Sequence, residues 1–173
     1  LQAHNDSNKS SNIRFVDAIS QAIHLSMKED RDLIIMGQDI AEYGGVFKVT
    51  KGMSSVFGKE RVRNTPLCES VILSASMGLS ILNIPSIVEM QFSDFVSSGF
   101  TAIVNLISKS YYRWGQNASI VIRMPCGGGV GAGPFPSQTN ESWFTTVPGL
   151  KVVYPSFPKE AKGLLINSIK DPN

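Results

Sequence analysis

Cysteine is scarce in this sequence. Cys68 and Cys126 are the two present, and they lie too far apart to form a Cys-x-x-Cys pair. That excludes a disulfide framework as the source of stability and favours a reducing, cytoplasmic setting. Histidine is equally rare. His4 falls in a polar leading stretch and His24 in a helical one, where a lone histidine is more often structural than a ligand. Charge of one sign is lacking too: 16 Lys and Arg stand against 14 Asp and Glu, a net charge of +2. The basic residues are scattered apart from Arg61 and Arg63, which leaves no electrostatic case for nucleic acid or a membrane surface as partner. No apolar run reaches the roughly 20 residues that cross a bilayer, and no basic segment followed by an apolar one opens the chain as a leader would.

What is present fits a globular domain. The 173 residues are 42% apolar and 17% charged, enough for one domain with a real core and too apolar for disorder. Residues 1–12 are polar and aperiodic and are expected to form a flexible tail or linker, leaving 13–173 as the domain. From Arg14 onward, Phe15, Ile19, Ile23 and Met27 recur at helical spacing. Short, largely apolar runs at 33–36, 86–90, 119–123 and 150–154 are expected as strands, and so is the short stretch 62–64. Between and after them, 71–82, 94–112, 141–147 and 158–169 are expected as helices, the last with Pro158 at its start. Alternating strands and helices imply an α/β fold: a mostly parallel sheet with helices on both faces. Function in such sheets gathers at the carboxyl ends of the strands.

The segment from Arg61 to Ser70 organises the rest. It reads as a short strand, a break at Pro66, and a single carboxylate, Glu69, ahead of the apolar run 71–82. That run has almost no polar face, so its helix is expected to be buried on most sides. A carboxylate at the mouth of a buried helix is costly without a partner, and functional groups with shifted pKa values lie at such positions. The long segment 38–51 carries Asp39, Glu42 and the Gly44-Gly45 pair. Loops of that length are often functional; the two acids read as caps of the loop in preference to metal ligands. Tyr111, Tyr112 and Trp114 gather at one helix end as packing or interface anchors. Gly127, Gly129 and Ala132 formally fit the Gly-x-Gly-x-x-Ala fingerprint of nicotinamide-binding domains, which needs a helix to open at the glycines. Pro134 and Pro136 argue against that helix.

Several motifs then occur in a familiar order. Gly37-Gln-Asp-Ile-Ala-Glu-Tyr-Gly-Gly-Val-Phe-Lys-Val-Thr50, Thr65-Pro-Leu-Cys-Glu69, Glu89-Met-Gln-Phe-Ser-Asp-Phe95, Ser137-Gln138 and Pro148-Gly-Leu-Lys-Val-Val-Tyr-Pro155 closely resemble the beta part of the thiamine-diphosphate-dependent 2-oxo-acid dehydrogenases. Trp114-Gly-Gln-Asn117 and Gly131-Ala-Gly-Pro-Phe135 resemble versions in which alpha and beta parts are fused in one bacterial polypeptide. The resemblance implies a transketolase-like pyrimidine-binding domain. It implies that Glu69 hydrogen-bonds a ring nitrogen of the cofactor's aminopyrimidine and favours its imino tautomer, in a dry setting that strengthens the bond. Leu67 and Phe95 would pack near the pyrimidine and Gln91 would add a polar contact. Ala118, Ile120, Val121, Asp171 and Asn173 match a region where some relatives bind potassium. Magnesium and the diphosphate would be held by an alpha-type diphosphate-binding domain, since no Gly-Asp-Gly…Asn pattern occurs here.

The same resemblance implies a 2-oxo acid substrate, with 3-methyl-2-oxobutanoate favoured over pyruvate, and a lipoyl acyltransferase core as partner in a dimer or heterotetramer-like assembly. The family's carboxy-terminal beta domain has no counterpart, so the chain is expected to be a fragment, incomplete as a catalyst and prone to self-association. One departure stands out. The family usually has His-Ser-Gln where this chain has Pro136-Ser137-Gln138, and proline has no titratable group. That keeps open a non-catalytic assembly or regulatory domain that retains the fold.

Overall fold

Short strands of three or four residues form the centre of the domain. In the computed structural model, which describes residues 13–131, 133–135 and 137–172, they are β1 (Ile34–Gly37), β2 (Val62–Asn64), β3 (Ser86–Glu89) and β4 (Ile120–Arg123). The strands are parallel, in the order β2-β1-β3-β4. Ile35 stands opposite both Val62 and Ile87, and Ile87 opposite Val121. β1 and β3 are buried along their whole length, as continuous apolar runs in a parallel sheet should be. The expected tail at 1–12 lies outside the described residues.

Alternation along β1 splits the core in two. Ile34 and Met36 face one layer with Ile72, Leu73, Met77, Val96 and Ile103. Leu33 and Ile35 face the other with Ile23, Met27, Ile40 and Val62. The second layer is roofed by α1 (Phe15–Glu29) and α6 (Pro158–Lys170), which pack together. Lys162 Nζ donates to Gln21 Oε1 at 2.9 Å across that seam. The first layer is roofed by α3 (Glu69–Ile81) and the segment after β3. Helices therefore cover both faces, as the alternating pattern predicts. The shorter helices are α2 (Met53–Phe57), α4 (Ser110–Trp114) and α5 (Ser142–Thr145). No helix among the described residues is long and apolar enough to cross a membrane.

Three expectations are corrected. The continuous helix over 94–112 is instead a 3-10 helix (Ser93–Gly99), a π-helical turn (Ala102–Ile107) and α4. Its serines explain the breaks. Ser97 Oγ donates to Asp94 O, Ser108 Oγ to Val104 O and Ser110 Oγ to Ile107 O, offering the backbone carbonyls alternatives to regular α-helical bonds. The helix at α3 is not buried on most sides. Ile72, Leu73, Ser76, Met77 and Ser80 face inward, while Val71, Ile81 and Leu82 are exposed, because one face lies on the sheet and the other lies on no described element.

The run 150–154 joins no strand. Gly149, at φ +89°, lies so close to Ser108 that a Cβ would stand 2.0 Å from its carbonyl oxygen. Two residues on, Lys151 Nζ bonds Asp171 Oδ2 at 2.6 Å, at the end of α6. Both anchors hold the run off the open edge of β4, across a groove of about 1080 Å³ lined by Ile120, Ile122, Val153 and Leu164. β-Forming residues alone do not make a strand; hydrogen-bonded pairing depends on an edge within reach, and these anchors withhold it.

Candidate functional site

The carboxyl ends of β2, β1 and β3 assemble a small polar cluster around Glu69. β1, the middle of the three, ends at Gly37, which has no room for a side chain: a Cβ there would stand 2.7 Å from Glu89 O. The next residue, Gln38, is buried. β2 ends at Asn64, whose Oδ1 accepts from Ala41 N–H and whose Nδ2 donates to Glu42 Oε2. Thr65 N–H then bonds Gly37 O at 3.0 Å, Pro66 ends the extended run, and Cys68 sits at the start of α3. Glu69 is the first residue of that helix, where the helix dipole favours a negative charge.

Two side chains from neighbouring strand ends hold the Glu69 carboxylate. Gln38 Nε2 donates to Oε1 at 2.9 Å, and Ser98 Oγ donates to Oε2 at 2.8 Å. Ser98 reaches it because the following residue is Gly99; a Cβ at Gly99 would stand 2.4 Å from Leu73 Cδ1. Burial pushes the Glu69 carboxyl up, but the hydrogen bonds from Gln38, from its own backbone N–H and from Ser98 outweigh it and hold the group below its ordinary 4.5. Glu69 is half-buried, so the dry setting expected for it gives way to one in which donors, not desolvation, set its charge state. Gln38 Oε1, at the other end of the amide, is buried without a hydrogen-bond partner.

A testable result follows for Gln38→Leu. With its strongest donor gone, burial gains on the remaining bonds and the Glu69 pKa rises. A depressed carboxyl pKa contributes stability that is present above the unfolded value and lost as pH falls through the folded one. The variant should therefore lose stability at a higher pH on acidification than wild type. Carboxyl carbon NMR titration of Glu69 checks it; an unchanged or lower Glu69 pKa contradicts the assigned cause.

The other residues marked from sequence lie past the same strand ends. Leu67, two residues before Glu69, is 79% exposed. Gln91 follows β3 and is half-buried. Phe95 stands on the 3-10 helix in a line of rings, with Phe92 at 5.9 Å and Phe135 at 5.6 Å between centroids; Phe47 extends the line at 5.7 Å from Phe92. The structure thus brings an exposed leucine, a carboxylate, an amide and an aromatic wall to one rim. Sequence reasoning missed Gln38 and Ser98. Gln38 carried a signal, since it directly follows a strand; Ser98 carried none, because only the close approach at Gly99 brings it to Glu69.

Other candidates resolve differently. A 3-10 turn (Gly128–Val130), not an α-helix, follows Gly127, so the fingerprint's requirement for a helix at the glycines is unmet; Ala132 and Pro136 lie outside the described residues. Glu42 is bound to Lys59 Nζ at 2.6 Å and to Asn64, and the bond to Lys59 is the largest influence holding its carboxyl down. Asp39 O accepts Gly45 N–H at 2.8 Å, closing the loop. His24 packs its ring 4.9 Å from Phe57. Tyr111, Tyr112 and Trp114 are exposed.

Residues 118–121 do approach Asp171, with Ser119 Oγ bonding Pro172 O at 3.3 Å. Yet Ala118 O accepts Ile120 N–H, and the carbonyls of Ser119 and Arg123 point into β3, so alternation turns Val121 O inward as well. Lys151 already supplies the cation at Asp171. Asn173 lies outside the described residues. Among the described residues, no three His, Cys, Asp or Glu side chains gather to hold a metal ion.

Comparison with known proteins identifies the relatives of this chain. Residues 11–173 match the family described as the transketolase, pyrimidine binding domain. The chain is 43% identical to the mitochondrial 2-oxoisovalerate dehydrogenase subunit beta 2 of Arabidopsis thaliana, over 97% of this chain and 47% of that protein. It is 41% identical to the 2-oxoisovalerate dehydrogenase subunit beta of Bacillus subtilis, over 91% of this chain and 49% of that one. It is 43% identical to the pyruvate dehydrogenase E1 component subunit beta of Staphylococcus aureus, over 90% and 48% respectively. The chain spans about half the length of these relatives.

Proposed function

The chain belongs to the transketolase pyrimidine-binding domain family, and from that premise we propose that it is the pyrimidine-binding part of the beta component of a thiamine-diphosphate-dependent 2-oxo-acid dehydrogenase. The observation that carries the reading is Glu69: a carboxylate on the first turn of α3, held by donors from two neighbouring strand ends. Both donors leave lone pairs on its oxygens, and hydrogen bonding keeps it ionised near neutrality. An ionised carboxylate is a pure acceptor. It suits a ring nitrogen that carries a proton, and its charge favours the protonated form of that nitrogen.

The residues present fit such a group. Glu69 would hold the proton at the pyrimidine ring nitrogen, Leu67 and Phe95 would flank the ring with apolar surface, and Gln91 would contribute an amide. Gln38 and Ser98 orient the Glu69 carboxylate. Thiamine diphosphate, when bound, supplies the electron sink for loss of carbon dioxide from a 2-oxo acid. In this reading an alpha-type partner domain holds the diphosphate and magnesium, and the acyl acceptor is a lipoyl group on an acyltransferase core. Domain 13–173 is the unit concerned.

Identity does not separate the substrates, since branched-chain and pyruvate enzymes match at 41% and 43%. The fused-type variants at 114–117 and 131–135 favour 3-methyl-2-oxobutanoate. One methylene in a pocket changes binding by only about 1–3 kcal/mol, so the test compares rates. With thiamine diphosphate and magnesium, the full protein should release labelled carbon dioxide faster from 3-methyl-2-oxobutanoate than from pyruvate. Faster release from pyruvate identifies the pyruvate enzyme instead. Pro136, in place of a residue that titrates, favours one other reading, a non-catalytic assembly domain. A folded, assembled protein that releases carbon dioxide from neither acid selects it.

A further inference from the structure

Asp94 is a carboxylate in a costly place. It is 2% exposed. Its Oδ1 accepts a hydrogen bond from Gln138 Nε2 at 2.6 Å, 44 residues along the chain. Its Oδ2 is buried with no hydrogen-bond partner. The dipole at the start of the 3-10 helix accounts for an acid in the first turn, but an acid there needs neither burial nor a bond to so distant a segment.

The neighbours of Asp94 show what the bond secures. Ser93 N–H bonds Pro125 O at 2.8 Å, and Ser93 Oγ donates to Gln138 O at 3.2 Å. Pro125 stands just before the glycine-rich segment and Gln138 just after it. Phe135, inside that segment, packs its ring on Phe95. Residues 93–95 therefore grip the segment at both roots and once between. One turn further on, Ser98 holds Glu69. The loop and the carboxylate are referenced to one short 3-10 helix.

We propose that Asp94 is a positioning residue whose carboxylate, through Gln138, latches the glycine-rich loop to the helix that orients Glu69, and so sets the fit of substrate at that rim. The kinetic part of this inference rests on the function proposed above; the structural part does not. Asn in place of Asp94 keeps an oxygen for Gln138 to donate to, whereas Ala keeps none.

The experiment compares Asp94→Asn, Asp94→Ala, Gln138→Ala and the double alanine variant in the full protein. By hydrogen exchange, Asp94→Ala should speed the amides of 137–141 about 10-fold, the loss of one charge-assisted hydrogen bond, with α1 and α6 unchanged. In turnover, it should raise KM for the 2-oxo acid by a similar ~10-fold factor with kcat within about 2-fold. Asp94→Asn should stay within about 3-fold of wild type on both, and the double variant should add little to either single one. Unchanged exchange at 137–141, exchange raised across the whole chain, additive single variants, an Asn variant as impaired as Ala, or a fall in kcat without a rise in KM each overturns the latch. A wild-type protein without 2-oxo-acid turnover ends the functional reading, while the exchange arm still decides the latch.

Discussion

Glu69→Ala should reduce carbon dioxide release from 2-oxo acids by roughly 10²–10⁴-fold, the range for losing a positioned proton-transfer group. Glu69→Gln should fall as far, because an amide cannot exchange a proton with a ring nitrogen near neutrality. Glu69→Asp should be intermediate: it keeps the charge but, one methylene shorter, loses register with Gln38 and Ser98, now at 2.9 and 2.8 Å. Folding should be retained with a moderate loss of stability. Glu69 is half-buried, and removing it deletes two charge-assisted hydrogen bonds and leaves the buried Gln38 amide N–H unpaired while relieving a desolvation cost, a net of about 1–3 kcal/mol. The measurement is labelled carbon dioxide release by the full protein at saturating thiamine diphosphate, beside urea unfolding of each variant. Turnover by Glu69→Ala within a few-fold of wild type would remove Glu69 from the chemistry; turnover lost together with folding would assign it to stability.

Arg123→Met should be the most destabilising single change at the rim. Glu89 and Arg123 face each other in register at the ends of β3 and β4 and form a bidentate ion pair, with side chains only 8% and 13% exposed. Removing the guanidinium leaves a carboxylate buried without its partner, a loss of about 3–5 kcal/mol. Replacing both, as Glu89→Met with Arg123→Met, should recover most of it, since a buried pair and a well-packed apolar pair of similar volume are close in stability. Urea midpoints of the three variants decide it. If the double variant is as unstable as the single one, the pair contributes more than mutual neutralisation. If Arg123→Met costs under about 1 kcal/mol, the pair behaves as a surface bridge.

The sequence by itself determined the layered α/β plan and the strand ends past which the candidate site residues lie. Four-residue runs such as 33–36 are too short for helices and too apolar for an exposed strand, so burial in a parallel sheet was the remaining solution. Parallel strands need crossovers, and crossovers carry the chain back so that segments after each strand collect at one edge. Glu69, Gln91 and Phe95 were legible for that reason, each in a motif just past a strand. In the loop at 38–51, Glu42 has a lysine and an asparagine to bind.

Tertiary structure alone decided the rest, in each case because the deciding contact joins residues far apart in the chain. Gln38 and Ser98 hold Glu69 from positions 31 and 29 residues away, and Ser98 arrives only because Gly99 admits Leu73. The helical periodicity of 94–112 was sound, yet serine hydroxyls and packing broke it into 3-10, π and α turns. The β-forming run at 150–154 found no strand partner, since Gly149 and Lys151 are anchored elsewhere. The sign of the Glu69 pKa shift belongs to this class too. Burial and hydrogen bonding push it in opposite directions, and which one wins depends on donors that three separate strand ends bring together.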